Sequence, residues 1–148
     1  MREKNITKLA VLFLIGTFLL TATVTYAQGP PVHPELIYTE SNISGVLAWG
    51  QDKTHGPYDG VITVSVKITD LWIANPVQEP PQPWVRVRIY KWPSGTTIWT
   101  GDLGDGDSSP WVSTNGGLGT TIKVNVDNYF GVYDEDYHYS GKVRMYIN

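Results

Sequence analysis

The residues with the clearest capacity for chemistry lie in one acidic loop. Asp102, Asp105 and Asp107 fall within six residues and are interleaved with glycines. Calcium takes about six to eight oxygen ligands, which a glycine-bent loop can supply, although this loop does not match the helix-flanked calcium motif. Asp and Gly also build hairpin turns without a metal. The loop is therefore either a calcium site or a plain turn, and we expect no other cofactor.

A second candidate site is an aromatic and basic stripe on one predicted strand, Trp84 to Trp92. Period-two alternation directs its aliphatic residues toward the core. The opposite face then carries Trp84, Arg86, Arg88, Tyr90 and Trp92. Such a face can stack sugar rings or anchor a partner protein. The alternative is ordinary cross-strand packing with cation–π contacts, and nearby Trp99 and Trp111 either extend the face or fill the core.

The remaining titratable residues do not form a catalytic pattern. The histidines (His33, His55 and His138) have no metal-ligand spacing. There is no Gly-x-Ser-x-Gly elbow and no phosphate-binding glycine loop. The glutamates show no sign of the paired carboxylates that a glycosidase requires. We therefore predict that the protein is not an enzyme.

The elements that must position these residues are strands. From residue 28 onward apolar residues alternate with polar ones, most clearly over Val61–Asp70 and Thr121–Asp127, with turn residues at Gly56–Gly60 and elsewhere. Glu35–Thr39 and Gly45–Trp49 are shorter candidates. About eight short strands predict an all-β fold, an antiparallel β-sandwich of immunoglobulin-like or jelly-roll type. A small barrel is the alternative.

The first 27 residues predict a cleavable secretory signal peptide with its signal helix. Arg2, Lys4 and Lys8 precede the apolar run Leu9–Leu20, and Ala27 suits signal peptidase. The run is shorter than the roughly 20 residues that span a bilayer, and no second apolar run follows. We expect a secreted, extracellular or cell-surface protein with no membrane span in its mature chain; an uncleaved anchor is the alternative.

Residues 28–34 form a proline-rich arm, and residues 35–148 form a single domain. A second proline-rich segment, Pro76–Pro83, cannot occupy a central strand. Asn42 begins an Asn-Ile-Ser sequon that we expect at a glycosylated turn. The chain has no cysteine, so core packing must stabilise it.

Charge argues against a nucleic-acid partner. The whole chain has 11 basic and 14 acidic residues; without the three basic residues and one acidic residue of the leader, 8 and 13 remain, a net charge of −5. Nucleic-acid binding requires a concentrated basic surface.

These observations favour a non-catalytic structural or adhesive protein that associates with itself or with another cell-surface protein. The arm can add the strand Glu35–Thr39 to the open edge of a neighbouring subunit, although that strand can equally belong to its own sheet. The alternative class is a carbohydrate-binding module that uses Trp84, Tyr90 and Trp92 as a stacking surface. A secreted hydrolase or inhibitor is a more distant alternative.

Overall fold

The computed structural model describes residues 35–74, 83–117, 119–128 and 136–148. These residues form seven antiparallel strands and no helix: β1 (Ile37–Leu47), β2 (Asp52–Ile73), β3 (Trp84–Lys91), β4 (Thr97–Gly104), β5 (Val112–Ser113), β6 (Thr120–Asp127) and β7 (Tyr137–Ile147). The predicted leader (1–27), the arm (28–34) and residues 76–82 of the proline-rich connection lie outside the described residues.

The strands form an antiparallel β-sandwich in which β2 belongs to both layers. The ladder order is β1-β7-β2-β6-β3-β4, and β5 also pairs with β2. The first part of β2, Asp52–Val61, pairs with β6. The second part, Val61–Ile73, pairs with β7. One layer therefore contains β1, β7, β5 and the second part of β2, and the other contains β6, β3, β4 and the first part. The predicted all-β sandwich is confirmed.

The predicted turn at Gly56–Gly60 is wrong, because β2 runs through it for 22 residues. Gly56 and Gly60 take positive φ angles of 99° and 68°, and the pairing with β6 shifts on both sides of Tyr58. Positive φ at glycine lets a strand bulge and bend without ending. These residues therefore bend β2 from one layer into the other instead of reversing the chain.

The two strands predicted at Glu35–Thr39 and Gly45–Trp49 are a single strand, β1. All eleven of its residues pair with β7 without a register shift, so the described residues form seven strands rather than about eight. Asn42, expected at a turn, lies in the middle of β1 opposite Lys142. The polar residues between the two predicted strands suggested a turn, but β7 provides a continuous partner for their backbone.

A single core lies between the layers and follows the predicted alternation. Val85, Val87 and Ile89 of β3 are fully buried, as are the alternate residues Ile122, Val124 and Val126 of β6. Burying each such side chain stabilises the fold by about 1.5–3 kcal/mol. Simple alternation over Val61–Asp70 predicts that Ile62 faces the core with Val64. Ile62 is only partly buried, because a register shift between Val61 and Thr63 changes the alternation and buries Val61 instead.

Candidate functional site

Four residues of the predicted stripe lie on the outer face of β3, and the fifth, Trp92, directly follows the strand. Val85, Val87 and Ile89 point into the core, as expected, and the stripe residues alternate with them on the solvent side. Arg88 and Trp92 are exposed, whereas Trp84, Arg86 and Tyr90 are partly covered. The structure therefore brings the five side chains to one face of the sandwich.

The charged groups of this face already have protein partners. Nε of Arg86 donates to Oδ1 of Asp102 on β4 at 2.9 Å. The guanidinium of Arg88 lies 4.6 Å from the ring centre of Tyr90. Nζ of Lys123 on β6 lies 3.4 Å from a ring centre of Trp92. These are a cross-strand ion pair and two cation–π contacts. Sugar binding at this face stays a prediction.

The acidic loop divides its carboxylates among different partners. Asp102 belongs to β4 and binds Arg86. Oδ2 of Asp107 accepts the backbone N–H of Gly104 at 2.8 Å, which closes the turn between them, while Asp105 is exposed. Within the described ranges, no group of three or more His, Cys, Asp and Glu side chains is placed to hold a metal ion. Calcium binding stays a prediction, as does glycosylation of the exposed Asn42.

The outer face of the other layer carries an aromatic cluster that the sequence patterns did not predict. We call Tyr38 of β1, Tyr146 of β7 and Trp111, which precedes β5, the aromatic platform. Tyr38 and Tyr146 are 5.3 Å apart between ring centroids, as are Trp111 and Tyr146, and Tyr38 and Trp111 are 6.4 Å apart. Alternation along β7 is sufficient to place Tyr146 on the outer face. Its neighbours depend on the pairing of Tyr38 with Tyr146 and on the path of the loop bearing Trp111.

Buried hydrogen bonds hold the segment that carries Trp111. Ser65 on β2 is buried and donates to the carbonyl of Ser109 at 2.9 Å, while the backbone N–H of Val66 donates to Oγ of Ser109 at 2.9 Å. The Arg144 guanidinium donates to Oγ of Ser65 at 2.7 Å and lies 5.5 Å from the ring centre of Trp111. Nε of Arg144 is buried and has no hydrogen-bond partner among the residues that the structure describes. These hydrogen bonds hold the segment that bears Trp111 against β2 and β7.

An acidic and a basic residue flank the platform along the same face. The Tyr38 hydroxyl donates to Oε1 of Glu40 at 2.5 Å, and Nζ of Lys142 donates to Oε2 at 2.6 Å. The hydrogen bond with Glu40 raises the pKa of Tyr38. The hydrogen bond from Lys142 lowers the pKa of the Glu40 carboxyl. These contacts fix the ring of Tyr38 at the outer edge of the sheet.

The far end of this outer face carries a second apolar group. Val46, His138 and Trp72 are successive cross-strand neighbours on β1, β7 and β2. The rings of Trp72 and His138 stack with 4.0 Å between centroids and 13° between planes. Val46 and Trp72 are both exposed. The layer thus has apolar groups at both ends and polar side chains between them.

Inside the sandwich, His55 and Tyr139 form a polar link between the layers. Nε2 of His55 and the Tyr139 hydroxyl share a hydrogen bond of 2.5 Å, and the rings meet edge to face. Burial lowers the pKa of His55 and raises the pKa of Tyr139. Gly45 on β1 lies against the Tyr139 ring, where a Cβ would come within 2.7 Å of it. Tyr139 is buried, whereas His55 is only partly buried.

An open groove of about 520 Å³ separates the start of β4 from the segment containing β5. Ile98, Trp111 and Val112 contribute its apolar lining, and the other lining side chains are Lys91 and a set of hydroxyl and amide residues. Trp111 therefore has one side on the platform and one on the groove.

Within the described part of the chain, no helix has the length and apolar character needed to cross a membrane. No family model and no curated protein matches the chain.

Three solved structures are similar to it in fold. The chain is 11% identical to a subunit of Bacillus endospore appendages, described as disulfide-linked pili, with 82% of this chain and 98% of that chain covered and a TM-score of 0.39. It is 17% identical to an infectious bursal disease virus protein, with 82% and 36% covered and a TM-score of 0.42. It is 11% identical to a capsid protein of cyanophage Pam1, with 86% and 96% covered and a TM-score of 0.38. These likenesses carry no functional argument.

Proposed function

We propose that this chain is an exported, non-catalytic structural protein that assembles with further copies of itself through the free edge of β1. The observation that carries the proposal is the form of this strand. β1 pairs over eleven residues with β7, without a register shift and without a proline. Among the described residues, no strand pairs with its other edge. A long, regular and open edge is a template for pairing with another chain.

The opposite edge of the sheet is better protected. β4 has eight residues, two of them glycines, and its pairing with β3 shifts between Ile89 and Tyr90. Short length and irregular pairing are the features by which natural proteins limit edge-to-edge association. The contrast between the two edges favours β1 as the surface of assembly.

The side chains of β1 suit pairing with a second copy about a two-fold axis. Tyr38 and Val46 lie four residues on either side of Asn42 and are 47% and 52% exposed. If two β1 strands pair antiparallel with Asn42 at the axis, Tyr38 of each copy lies opposite Val46 of the other. A contact in which each copy offers the same patch is the usual form of a closed dimer.

The leader sequence supports export. A structural role is supported by the polar side chains, because those named here make contacts within the fold. Arg86 and Lys142 each bind a carboxylate on a neighbouring strand. Partly buried His55 and buried Tyr139 share a hydrogen bond. These hydrogen bonds and ion pairs join neighbouring strands and the two layers of the fold.

The proposal is tested with the exported chain by size-exclusion chromatography with light scattering. Ser44→Lys with Val46→Lys adds two charges to the edge of β1, and we expect the assembly to dissociate. Thr97→Lys with Thr100→Lys adds the same charge to β4 and should leave the assembly intact. A parent chain that is monomeric at every concentration, or an equal loss in both variants, would contradict the proposal. Circular dichroism verifies that each variant keeps its strands.

A further inference from the structure

The groove beside Trp111 lies between an edge strand of each layer. The start of β4 forms one wall, and the segment that contains β5 forms the other. In the layer of β5, the strands β2 and β7 separate β5 from β1. Pairing of two β1 edges therefore takes place on the other side of this layer and does not use the groove.

The apolar part of the groove rests on the core. Ile98 and Val112 are partly buried and pack against the core residues. Trp111 adds an indole ring and is 46% exposed. The volume of about 520 Å³ lies within the range of about 300–1,000 Å³ that small-molecule sites occupy. The groove can therefore hold a flat ring against Trp111.

The walls of the groove carry hydroxyl and amide groups that can take further hydrogen bonds. Oγ of Ser113 accepts the backbone N–H of Asn115 at 3.1 Å. Oγ1 of Thr96 accepts the Ser94 hydroxyl at 3.1 Å. The hydroxyl protons of Ser113 and Thr96 remain to be donated, and the Asn115 amide both donates and accepts. Sugar hydroxyls also donate and accept, so they match a wall of this kind.

Lys91 has the one charged side chain among the described lining residues. It lies opposite Ile122 in the pairing of β3 with β6, and residues directly opposite each other place their side chains on the same face. Ile122 is fully buried, so the Lys91 side chain extends on the inner face of β3. Lys91 is partly buried, and no described carboxylate forms an ion pair with it. Partial burial of an unpaired cation costs free energy, which favours an anionic ligand.

We propose that this groove binds an acidic oligosaccharide, with one sugar ring stacked on Trp111 and a sugar carboxylate paired with Lys91. The described lining residues include no carboxylate, so they do not supply the pair of acids that glycoside hydrolysis requires. The site adds a ligand to the proposed structural protein and does not depend on its self-assembly. In an assembly, grooves on several copies would bind one polysaccharide together and raise the avidity.

The first test is isothermal titration calorimetry of tetragalacturonate against the exported chain. The parent should show saturable binding, and Trp111→Ala should weaken it by about tenfold or more, as loss of an aromatic anchor does. Trp72→Ala removes a tryptophan of similar exposure, 47%, from outside the groove and should bind like the parent. No binding by the parent, or parental affinity in Trp111→Ala, would overturn the inference.

The second test removes an amide and preserves the backbone. Asn115 has a φ of 55°, in the left-handed region that glycine adopts without strain. Asn115→Gly should therefore keep the fold and weaken tetragalacturonate binding by about threefold or more, through the loss of one or two hydrogen bonds. This variant decides the matter if Trp111→Ala misfolds, which circular dichroism detects. An unchanged affinity would mean that the sugar does not occupy the groove.

The third test isolates the charge. Fully methyl-esterified tetragalacturonate has the same rings without the carboxylates, and the parent should bind it about tenfold more weakly, since hydrogen bonds to charged groups are the stronger ones. Lys91→Met keeps the apolar stem and should bind both forms equally. Lys53→Met, at an exposed lysine outside the lining set, should keep the parental preference for the acid. Equal binding of both forms by the parent, or the same loss in both lysine variants, would contradict the pairing with Lys91.

Failure of this inference is distinguishable from failure of β1 pairing. None of these substitutions alters β1, so light scattering should give the parental assembly size for each of them. The Ser44→Lys, Val46→Lys variant should in turn bind tetragalacturonate with the parental affinity per chain. Loss of sugar binding in that variant would contradict the separation of the two sites.

Discussion

The stripe on β3 and the aromatic platform are both exposed aromatic surfaces, but they differ in what contacts their rings. On the stripe, Arg88 covers Tyr90 and Lys123 covers Trp92. On the platform, the rings of Tyr38, Trp111 and Tyr146 contact one another. Within the monomer, cations therefore lie over these two stripe rings, whereas the platform rings pack against one another, and Trp111 also lies 5.5 Å from the Arg144 guanidinium. Whether an exposed aromatic face is a candidate binding surface therefore depends on its cross-strand neighbours as well as on its composition.

The two surfaces belong to different layers. The platform lies on the layer that contains β7 and the second part of β2, and a substitution at Gly141 tests how closely these two strands pack. Gly141 on β7 lies so close to β2 that a Cβ would come within 2.3 Å of the carbonyl oxygen of Lys67. We expect Gly141→Ala to destabilise the fold by about 3 kcal/mol, because backbone must move to admit the methyl group. Urea unfolding measures the loss.

The control for this substitution is Gly117→Ala. No atom of the described part of the chain lies within 4 Å of a Cβ at that position, and the glycine has no positive φ. Its unfolding midpoint should match that of the parent. Equal stability of Gly141→Ala and the parent would show that β7 and β2 are not packed this closely at Gly141.

The sequence predicted which residues face outward but not which of them meet. Period-two alternation was sufficient to bury Val85, Val87 and Ile89 and to expose the stripe. The platform joins a residue near the start of β1 to one near the end of β7, more than 100 positions away in the chain. Alternation within each strand carries no information about register between distant strands, so the cluster could not be predicted.

The bend in β2 escaped prediction for a related reason. Gly56 and Gly60 favour a hairpin turn and a bulged strand equally, since both use positive φ. What decides between them is the partner, because β6 accepts the first part of β2 and β7 accepts the second. The local sequence is compatible with both a hairpin turn and a bulged strand, and the pairing of β2 with β6 and β7 selects the bulged strand.

The link between the two layers is expected to respond to pH. The pKa of His55 is lowered by burial, so the unfolded chain binds a proton more readily than the folded one. The stability from this group is complete above the ordinary histidine pKa of about 6.5. It is lost as the pH falls from there toward the lowered value. The thermal midpoint should therefore decrease between pH 7 and pH 5.

His55→Gln tests the origin of this decrease, because a glutamine oxygen can accept the Tyr139 proton but does not titrate. Its midpoint should vary less with pH than that of the parent. His138→Gln, which alters the ring stacked on Trp72 at the outer face, is the matched histidine control. If His55→Gln retains the full parental slope, the coupling between the layers does not involve this pair.

The smallest expected effect concerns the stripe itself and makes the comparison with the platform direct. Lys123→Ala removes the cation that lies 3.4 Å from the Trp92 ring together with the aliphatic stem that carries it. An exposed cation–π contact is worth about 0.5–1 kcal/mol, so stability should fall by about this amount. Quenching of tryptophan fluorescence by acrylamide should rise as the ring face opens, while Arg88→Ala, which uncovers Tyr90 instead, should leave tryptophan quenching unchanged. If quenching does not rise in Lys123→Ala, the lysine does not cover Trp92 in solution, and the contrast between the stripe and the platform is lost.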